Sequence, residues 1–230
     1  MKKIIVFTGA GISAESGLKT FRDAGGLWEG HRVEEVATPG AWKKDPEKVL
    51  RFYNERRRNV LAANPNAAHL AIAEWQQDFE VQVITQNIDD LHERAGSKQV
   101  LHLHGEILKM RSERNEALIY PIRNDIQLGD VADDSAQLRP HIVWFEEPVP
   151  LMEKAIMMVQ DADFFVVVGS SLVVYPAASL LHYLPPYMPV YVVDKNMPSI
   201  SRKGIEYIEK PATEGVPLLI DKIKAAMGGC

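Results

Sequence analysis

The run Ile4-Ile5-Val6-Phe7-Thr8-Gly9-Ala10-Gly11-Ile12-Ser13-Ala14-Glu15-Ser16-Gly17 decides the fold. A short buried strand that breaks into a glycine-rich turn and then a helix is how α/β proteins hold a phosphate. Glycine permits the tight turn and close backbone approach, and the helix N-terminus offers N–H groups to the anion. G-x-G-x-x-A after a strand points to a dinucleotide site, against the plainer reading of a strand–turn–helix without a ligand. A nicotinamide dehydrogenase would carry a second strand ending in Asp or Glu about 20 residues on, for the ribose hydroxyls. Here that window reads Thr20-Phe21-Arg22-Asp23-Ala24-Gly25-Gly26-Leu27-Trp28, with two adjacent glycines and no apolar strand. It reads as a mobile loop, so the site grips a dinucleotide without the usual hydride-transfer layout.

Beyond this turn, apolar runs alternate with helical periodicity. Strands are expected at Ile4–Phe7, Val81–Thr85, Val100–Leu103, Phe164–Val168 and Val190–Val193, rich in Val, Ile or Phe and bounded by turn residues. Their nearly continuous hydrophobicity suits a parallel sheet covered on both faces. Helical spacing covers Asp45–Leu61, Ala67–Phe79, Met152–Gln160 and Val216–Met227, with Asp45-Pro46 a good N-cap and first-turn pair. The expected fold is α/β, a Rossmann-like doubly wound parallel sheet with a small second domain built from two insertions. The large domain is expected at about 1–30, 67–106 and 140–230. His31–Asn66 and Ile107–Arg139 fit the alternation poorly and are expected to meet as the small domain (about 31–66 and 107–139).

Composition bounds the function. The chain of 230 residues is 46% hydrophobic and 25% charged, which suits one globular unit with a sizeable core. A net charge of −5 and a pI of 5.8 argue against general affinity for nucleic acid or anionic membranes. The single cysteine, Cys230, is the last residue, so neither a disulfide nor a cysteine-based zinc site is available within one chain. The apolar run after Lys2-Lys3 is too short for a signal peptide or a membrane span. A cytoplasmic, monomeric protein is expected.

Two polar clusters stand at strand ends. Gln86-Asn87-Ile88-Asp89 follows the strand Val81–Thr85, where ligands of open α/β sheets bind. Asn can pair with a carboxamide and Asp can orient ribose hydroxyls; the bland alternative is helix capping by Asp89 ahead of Leu91-His92. In Val100-Leu101-His102-Leu103-His104-Gly105, strand alternation puts both histidines on one face. A metal pair, a general base and ordinary strand-end residues are all open readings. Metal ranks last for want of further ligands, and His104 is the better base.

These residues resemble one family, the sirtuins, NAD-dependent protein-lysine deacylases. The resemblance rests on Gly9-Ala10-Gly11-Ile12-Ser13, Thr20-Phe21-Arg22, Gln86-Asn87-Ile88-Asp89, His104-Gly105, Val143-Trp144-Phe145 and Gly169-Ser170-Ser171, in the family's order across nearly the whole chain. It implies that Gly9, Ala10, Gly11, Ser13, Glu15, Phe21, Arg22 and Trp28 embrace NAD together with Gln86, Asn87, Ile88, Asp89, Gly169, Ser170 and Ser171. Asn196 and Ala212, on the weaker motifs Val193-Asp194-Lys195-Asn196 and Pro211-Ala212, would lie near the adenosine end. It further implies that the acyl oxygen of a modified lysine attacks the nicotinamide ribose, releasing nicotinamide. His104 then deprotonates a ribose hydroxyl that attacks the resulting imidate, giving free lysine and O-acyl-ADP-ribose. Asn87 and Asp89 would serve the departing carboxamide, and the Phe21 loop would exclude water. Val143, Trp144 and Phe145 would pair with an extended substrate and line the acyl-lysine channel, where a plain core strand is the alternative. ADP-ribosyl transfer from the same NAD site, or a lapsed NAD-binding module, would use the same residues.

A second resemblance narrows the acyl group. Tyr53 and Arg56, three apart on one helix face, match with Ala37 the subgroup that removes succinyl and malonyl groups. An Arg fork pairs with a carboxylate, Tyr adds a donor and Ala leaves room. The alternative is that Arg56-Arg57-Arg58 forms a solvated basic face. The chain departs from the family in lacking the four zinc-binding cysteines of the second insertion, and Ser112 stands about where the first belongs. No zinc is expected, and Ile107–Arg139 must fold by packing alone or stay partly disordered.

Overall fold

The computed structural model describes residues 1–20 and 31–228, so Phe21, Arg22 and Trp28 of the expected cofactor loop lie outside the described residues. Six strands, β1 (Lys3–Thr8), β2 (Glu80–Thr85), β3 (Val100–His102), β7 (Phe164–Val168), β8 (Val190–Asp194) and β9 (Ile205–Glu209), pair in parallel in the order β3-β2-β1-β7-β8-β9. The smaller sheet is antiparallel, β5 (Ile119–Pro121), β4 (Gly105–Ser112) and β6 (Leu138–Ile142) in that order. β1 is central: Val6 pairs with Val83 on one side and Val166 on the other. The chain first winds outward from β1 to β3, then returns to β7 and winds the opposite way. The crevice where the winding reverses opens beyond the carboxyl ends of β1 and β7, the place where such sheets bind ligands.

Alternation along β1 explains the two layers. Ile4 and Val6, with Val166 and Val168 from β7, face α5 (Ala67–Glu74) and α8 (Ala212–Gly228), packing on Ile72, Leu219 and Ile223. Ile5 and Phe7, with Phe165 and Val167, face α7 (Met152–Gln160) and the 3₁₀ turn Ala177–Tyr183, packing on Ala155, Val159 and Leu180. Each such side chain, fully buried, is worth roughly 1.5–3 kcal/mol.

All five expected strands form, shifted at their ends by at most a residue. β9 escaped the sequence reading because an edge strand alternates rather than running apolar; in Ile205–Glu209 only Ile208 is buried. α4 (Pro46–Ala62) matches its expected span, and the Asp45 side chain accepts the Lys48 N–H at 2.9 Å. α5 stops at Glu74 and gives way to a 3₁₀ turn, Trp75–Gln77, short of the expected Phe79. α8 starts at Ala212, four residues before Val216, with Pro217 inside it. The short helices α1 (Gly11–Ala14), α2 (Val33–Val36), α3 (Pro39–Lys44) and α6 (Leu91–Ala95) are too brief to show a period. No helix among the described residues is long and apolar enough to cross a membrane.

The second insertion folds. Leu50 of α4 packs on Ile126, Ala132 and Leu138, and polar ties close the unit. Asn54 donates to the Ile126 carbonyl at 2.8 Å and accepts the Ile126 N–H at 3.0 Å. Ser112, where the family's first zinc cysteine would stand, is fully buried. Its hydroxyl accepts the N–H groups of Arg114 and Asn115 and donates to Asp134 at 2.7 Å. Asp134 in turn accepts the Ala136 N–H. A serine–aspartate clasp thus ties β4 to the chain leading into β6.

The basic run of α4 is no solvated face. Arg57 is fully buried, its guanidinium donating to the Ile107 carbonyl, the Asn54 side chain and the Asn124 carbonyl. Arg56 is buried and turned to the crevice, while Arg58 alone is exposed, paired with Asp125.

Candidate active site

One cavity of about 720 Å³ lies past the ends of β1, β2, β7 and β8 and runs under the small sheet. It gathers nearly every expected residue from distant parts of the chain. Gly9, Ala10, Gly11 and Ser13 line it from the first turn, Gln86, Asn87, Ile88 and Asp89 from the end of β2, and His104 from the turn into β4. Gly169, Ser170 and Ser171 follow β7, while Asn196 and Ala212 lie at the β8 side. Ala37, Tyr53, Arg56, Val143, Trp144 and Phe145 form the opposite end. Glu15 is the exception among the described residues. Its carboxylate accepts the backbone N–H and hydroxyl of Thr213 at the start of α8, at 3.2 and 2.8 Å, outside the cavity lining.

The glycine turn sits against the loop after β7 at the closest approach the backbone allows. The Gly11 N–H donates to the Gly169 carbonyl at 2.8 Å, and Gly169 has φ +61°. A Cβ on Gly9 would meet the Gly169 oxygen at 2.8 Å, and one on Gly169 would meet the Ile12 nitrogen at 2.3 Å. Here glycine is required by space and by conformation. The expectation of free N–H groups at this turn is corrected in part. Those of Gly9, Gly11, Ile12 and Ser13 all bond to carbonyls of Val168, Gly169, Gly9 and Ala10. The reason is that α1 is one turn long, so its first amides close turn bonds and the seam to β7. An anion here would also meet side chains, such as the Ser170 hydroxyl, which accepts from Gln86 at 2.9 Å and keeps its own proton to donate.

The Gln86–Asp89 segment is rigidly oriented. The Asn87 amide nitrogen donates to the Gly9 carbonyl at 3.1 Å and to the Ser13 hydroxyl at 3.2 Å, so both amide hydrogens are committed. Its Oδ1 bonds no described residue and is the acceptor left over. Ser13 passes its own proton to Asp89 at 3.0 Å, and the second Asp89 oxygen accepts the Leu91 N–H at 3.2 Å. Asp89 accepts the first N–H of α6 from one position before the N-cap, Asp90, which makes no side-chain cap bond, while also bracing Ser13 from the cavity wall. Burial raises its carboxyl above the ordinary range, opposed by these hydrogen bonds and by His102.

The two histidines of His102-Leu103-His104 meet different partners. His104 Nδ1 lies 3.1 Å from the Gln86 carbonyl oxygen. A carbonyl only accepts, so Nδ1 carries the hydrogen and Nε2 keeps a lone pair. No described residue bonds Nε2, and the ring lines the cavity. Burial holds the ring pKa below 6.5, only partly offset by the Gln86 bond. His104 is therefore neutral at pH 7, with its basic nitrogen available.

At the far end, Tyr53 is fully buried, its ring packed on Phe52 and Trp144, and burial pushes its hydroxyl pKa up. Arg56 is one turn on. Val143-Trp144-Phe145 leaves β6 rather than continuing it, so the plain core-strand alternative does not hold. Its N–H groups are already bonded within the chain: Val143 to the His104 carbonyl, Trp144 to the Glu147 carboxylate, Phe145 to the Ala37 carbonyl. An extended partner could pair with this segment only through its carbonyls. Two residues that sequence reasoning missed hold it in place. Glu147 takes both Nη groups of Arg139 at 2.8 and 3.2 Å, and the Arg139 guanidinium lies 3.2 Å from the centre of the Trp144 ring. Nothing local in the sequence marks this pair, since the partners are eight residues apart across a sheet end.

A Sir2 family profile matches residues 9–176. The "NAD-dependent protein deacylase" of Helicobacter pylori (strain ATCC 700392 / 26695) is 50% identical over 224 residues, 97% of this chain and 98% of that one. Among solved structures, a mutant Sir2 homologue in complex with ADP-ribose superposes with a TM-score of 0.88 at 35% identity, covering 100% of this chain and 94% of its own. A Sir2 homologue–NAD complex superposes with a TM-score of 0.87 at 36% identity, covering 98% and 91%. The six-stranded sheet with its small antiparallel companion is the fold those structures share. The profile starts at the first glycine of the turn and ends on the cavity wall at Pro176, and the bacterial relative is similar from end to end: the chain belongs to the Sir2 family, the sirtuins.

Proposed function

We propose that the protein removes acyl groups from protein lysines at the expense of NAD, and that acidic acyl groups such as succinyl and malonyl are among its substrates. Support for the first part comes from His104, a neutral histidine whose free Nε2 lines the cavity at the sheet's switch point, together with the relative's activity. The cavity volume falls within the ordinary range for small-molecule and cofactor sites. Bound there, NAD supplies an electrophilic ribose carbon with nicotinamide as the leaving group. Asn87 Oδ1, fixed by the Gly9 and Ser13 bonds, is oriented to accept from a carboxamide N–H. His104 Nε2 receives the proton of a ribose hydroxyl, and the Gln86 carbonyl steadies the positive ring that results. The chain needs no Ser or Cys nucleophile, because the electrophile comes with the co-substrate.

The acidic-acyl part rests on Arg56, a buried guanidinium one helical turn from Tyr53, the two lining the cavity together with the small Ala37. A carboxylate entering there would meet a planar cation in low dielectric. The experiment is nicotinamide release from NAD with acetyl-, succinyl- or malonyl-lysine peptide, and without peptide, followed by mass. Peptide-dependent release with O-acyl-ADP-ribose supports deacylation. Label transferred to protein in place of that product would replace it with ADP-ribosyl transfer, and no release at all would leave a binding module.

A further inference from the structure

His102 is buried, at 8% exposure, two residues from the base, and the mechanism above does not use it. Its Nδ1 lies 2.9 Å from the Asn87 carbonyl oxygen and its Nε2 lies 2.8 Å from a Glu93 carboxylate oxygen. A carbonyl cannot donate. The Glu93 side chain, on α6, is 40% exposed and water holds it ionised. With an acceptor at each nitrogen, both must carry hydrogen. His102 is then an imidazolium, while His104 makes the same Nδ1 contact to the preceding carbonyl, Gln86, and stays neutral because no carboxylate meets its Nε2.

We propose that His102 is a positioning cation, held charged by Glu93, that fixes the Asn87–Asp89 segment against the nicotinamide end of the co-substrate. This rests on the deacylase reading only for the identity of what binds there. The placement is specific. Asn87 is gripped at its carbonyl by His102, at its N–H by Thr85 and at its amide by Gly9 and Ser13, so only Oδ1 is left to face a ligand. The same charge favours ionised Asp89, which braces Ser13. The groups that bear on His102 are Glu93 and His92 from α6, Glu106 from β4 and Asp89 from the loop, with Lys109 of β4 acting on Glu93. The acids outweigh the burial that would discharge the ring.

The test reads charge and binding separately. In the wild-type chain, imidazole ¹⁵N shifts assigned by loss of one signal in His102→Asn should show His102 protonated at both nitrogens at pH 7, with His104 neutral. A neutral His102 at pH 7 overturns the proposal whatever the enzyme does. Glu93→Gln keeps the side chain's shape and a hydrogen-bonding group but removes the charge. It should lower the His102 pKa below the wild-type value and raise KM for NAD about tenfold, with kcat changing much less. A discharged His102 with unchanged KM would refute positioning. If Glu93→Gln does not fold, the wild type decides: KM for NAD should rise through the pH at which His102 loses its proton, and a rise at a different pH, or none, refutes the proposal. Failure of the deacylase reading would show as no turnover in the wild type; the His102 charge and NAD affinity by calorimetry remain measurable there.

Discussion

At the residue scale, one carboxylate separates two histidines that the sequence could not tell apart. Alternation marked His102 and His104 as a pair, and only their partners set the proposed cation apart from the free base. His104→Ala should leave NAD affinity nearly unchanged and lower deacylation by ~10²–10⁴-fold, which titration calorimetry and a peptide assay would check. Because burial holds the His104 pKa below 6.5, the acid limb of the wild-type kcat should fall only as pH drops through that lowered value, separate from the rise in KM for NAD that loss of the His102 proton brings at higher pH. An acid limb at or above 6.5 in kcat would point to another base. Arg56→Met bears on the acyl group. It should raise KM for succinyl-lysine about 10- to 100-fold, since a charge-assisted hydrogen bond is worth roughly 1.5–3 kcal/mol, while acetyl-lysine turnover stays near wild type. Equal effects on both peptides would remove the acidic-acyl assignment and leave a general deacylase.

At the element scale, long periodic or continuously apolar segments were legible and short or edge elements were not. β1 and β7, buried on both faces, showed as unbroken Val/Ile/Phe runs, whereas β9 and β5 expose one face and β6 sets Arg139, Pro140 and His141 between its two apolar ends. The segment after β6 is held by an ion pair rather than by pairing, so no pattern announced it. Glu147 sits among the Trp144 N–H, Arg139 and Arg111. Burial alone would raise its carboxyl, but Arg139 and these neighbours hold it below the usual 4.5. Its stabilisation is therefore fully present above about pH 4.5 and lost as pH falls through the lower folded value, because the unfolded chain takes up the proton first. Glu147→Ala leaves two buried guanidinium groups without this partner and should cost about 3 kcal/mol in urea unfolding at pH 7. The same substitution should flatten the acid limb of stability between pH 5 and 3 (roughly the window such a carboxylate governs).

At the scale of the whole molecule, the small unit closes without the family's cysteines. The apolar cluster of Leu50, Ile126, Ala132 and Leu138 and the clasp between Ser112 and Asp134 supply what holds it. Elemental analysis of the purified protein should find no stoichiometric zinc, and a chelator should leave both activity and thermal midpoint unchanged; one zinc per chain would redirect attention to histidines and carboxylates. The sequence by itself determined the doubly wound sheet, the glycine turn at its switch point and the family. The first two follow from period and from β-branched runs broken by glycine, which are local properties of the chain, and the family from motifs that resemble it in order along the sequence. Tertiary structure alone decided that the turn's amides are engaged, that Arg56, Arg57 and Arg58 have three different surroundings, that Arg139 and Glu147 secure Trp144, and that Glu93 meets His102. Protonation and burial depend on which groups meet across the fold, and residues far apart in the chain meet only once the two sheets and their helices have packed.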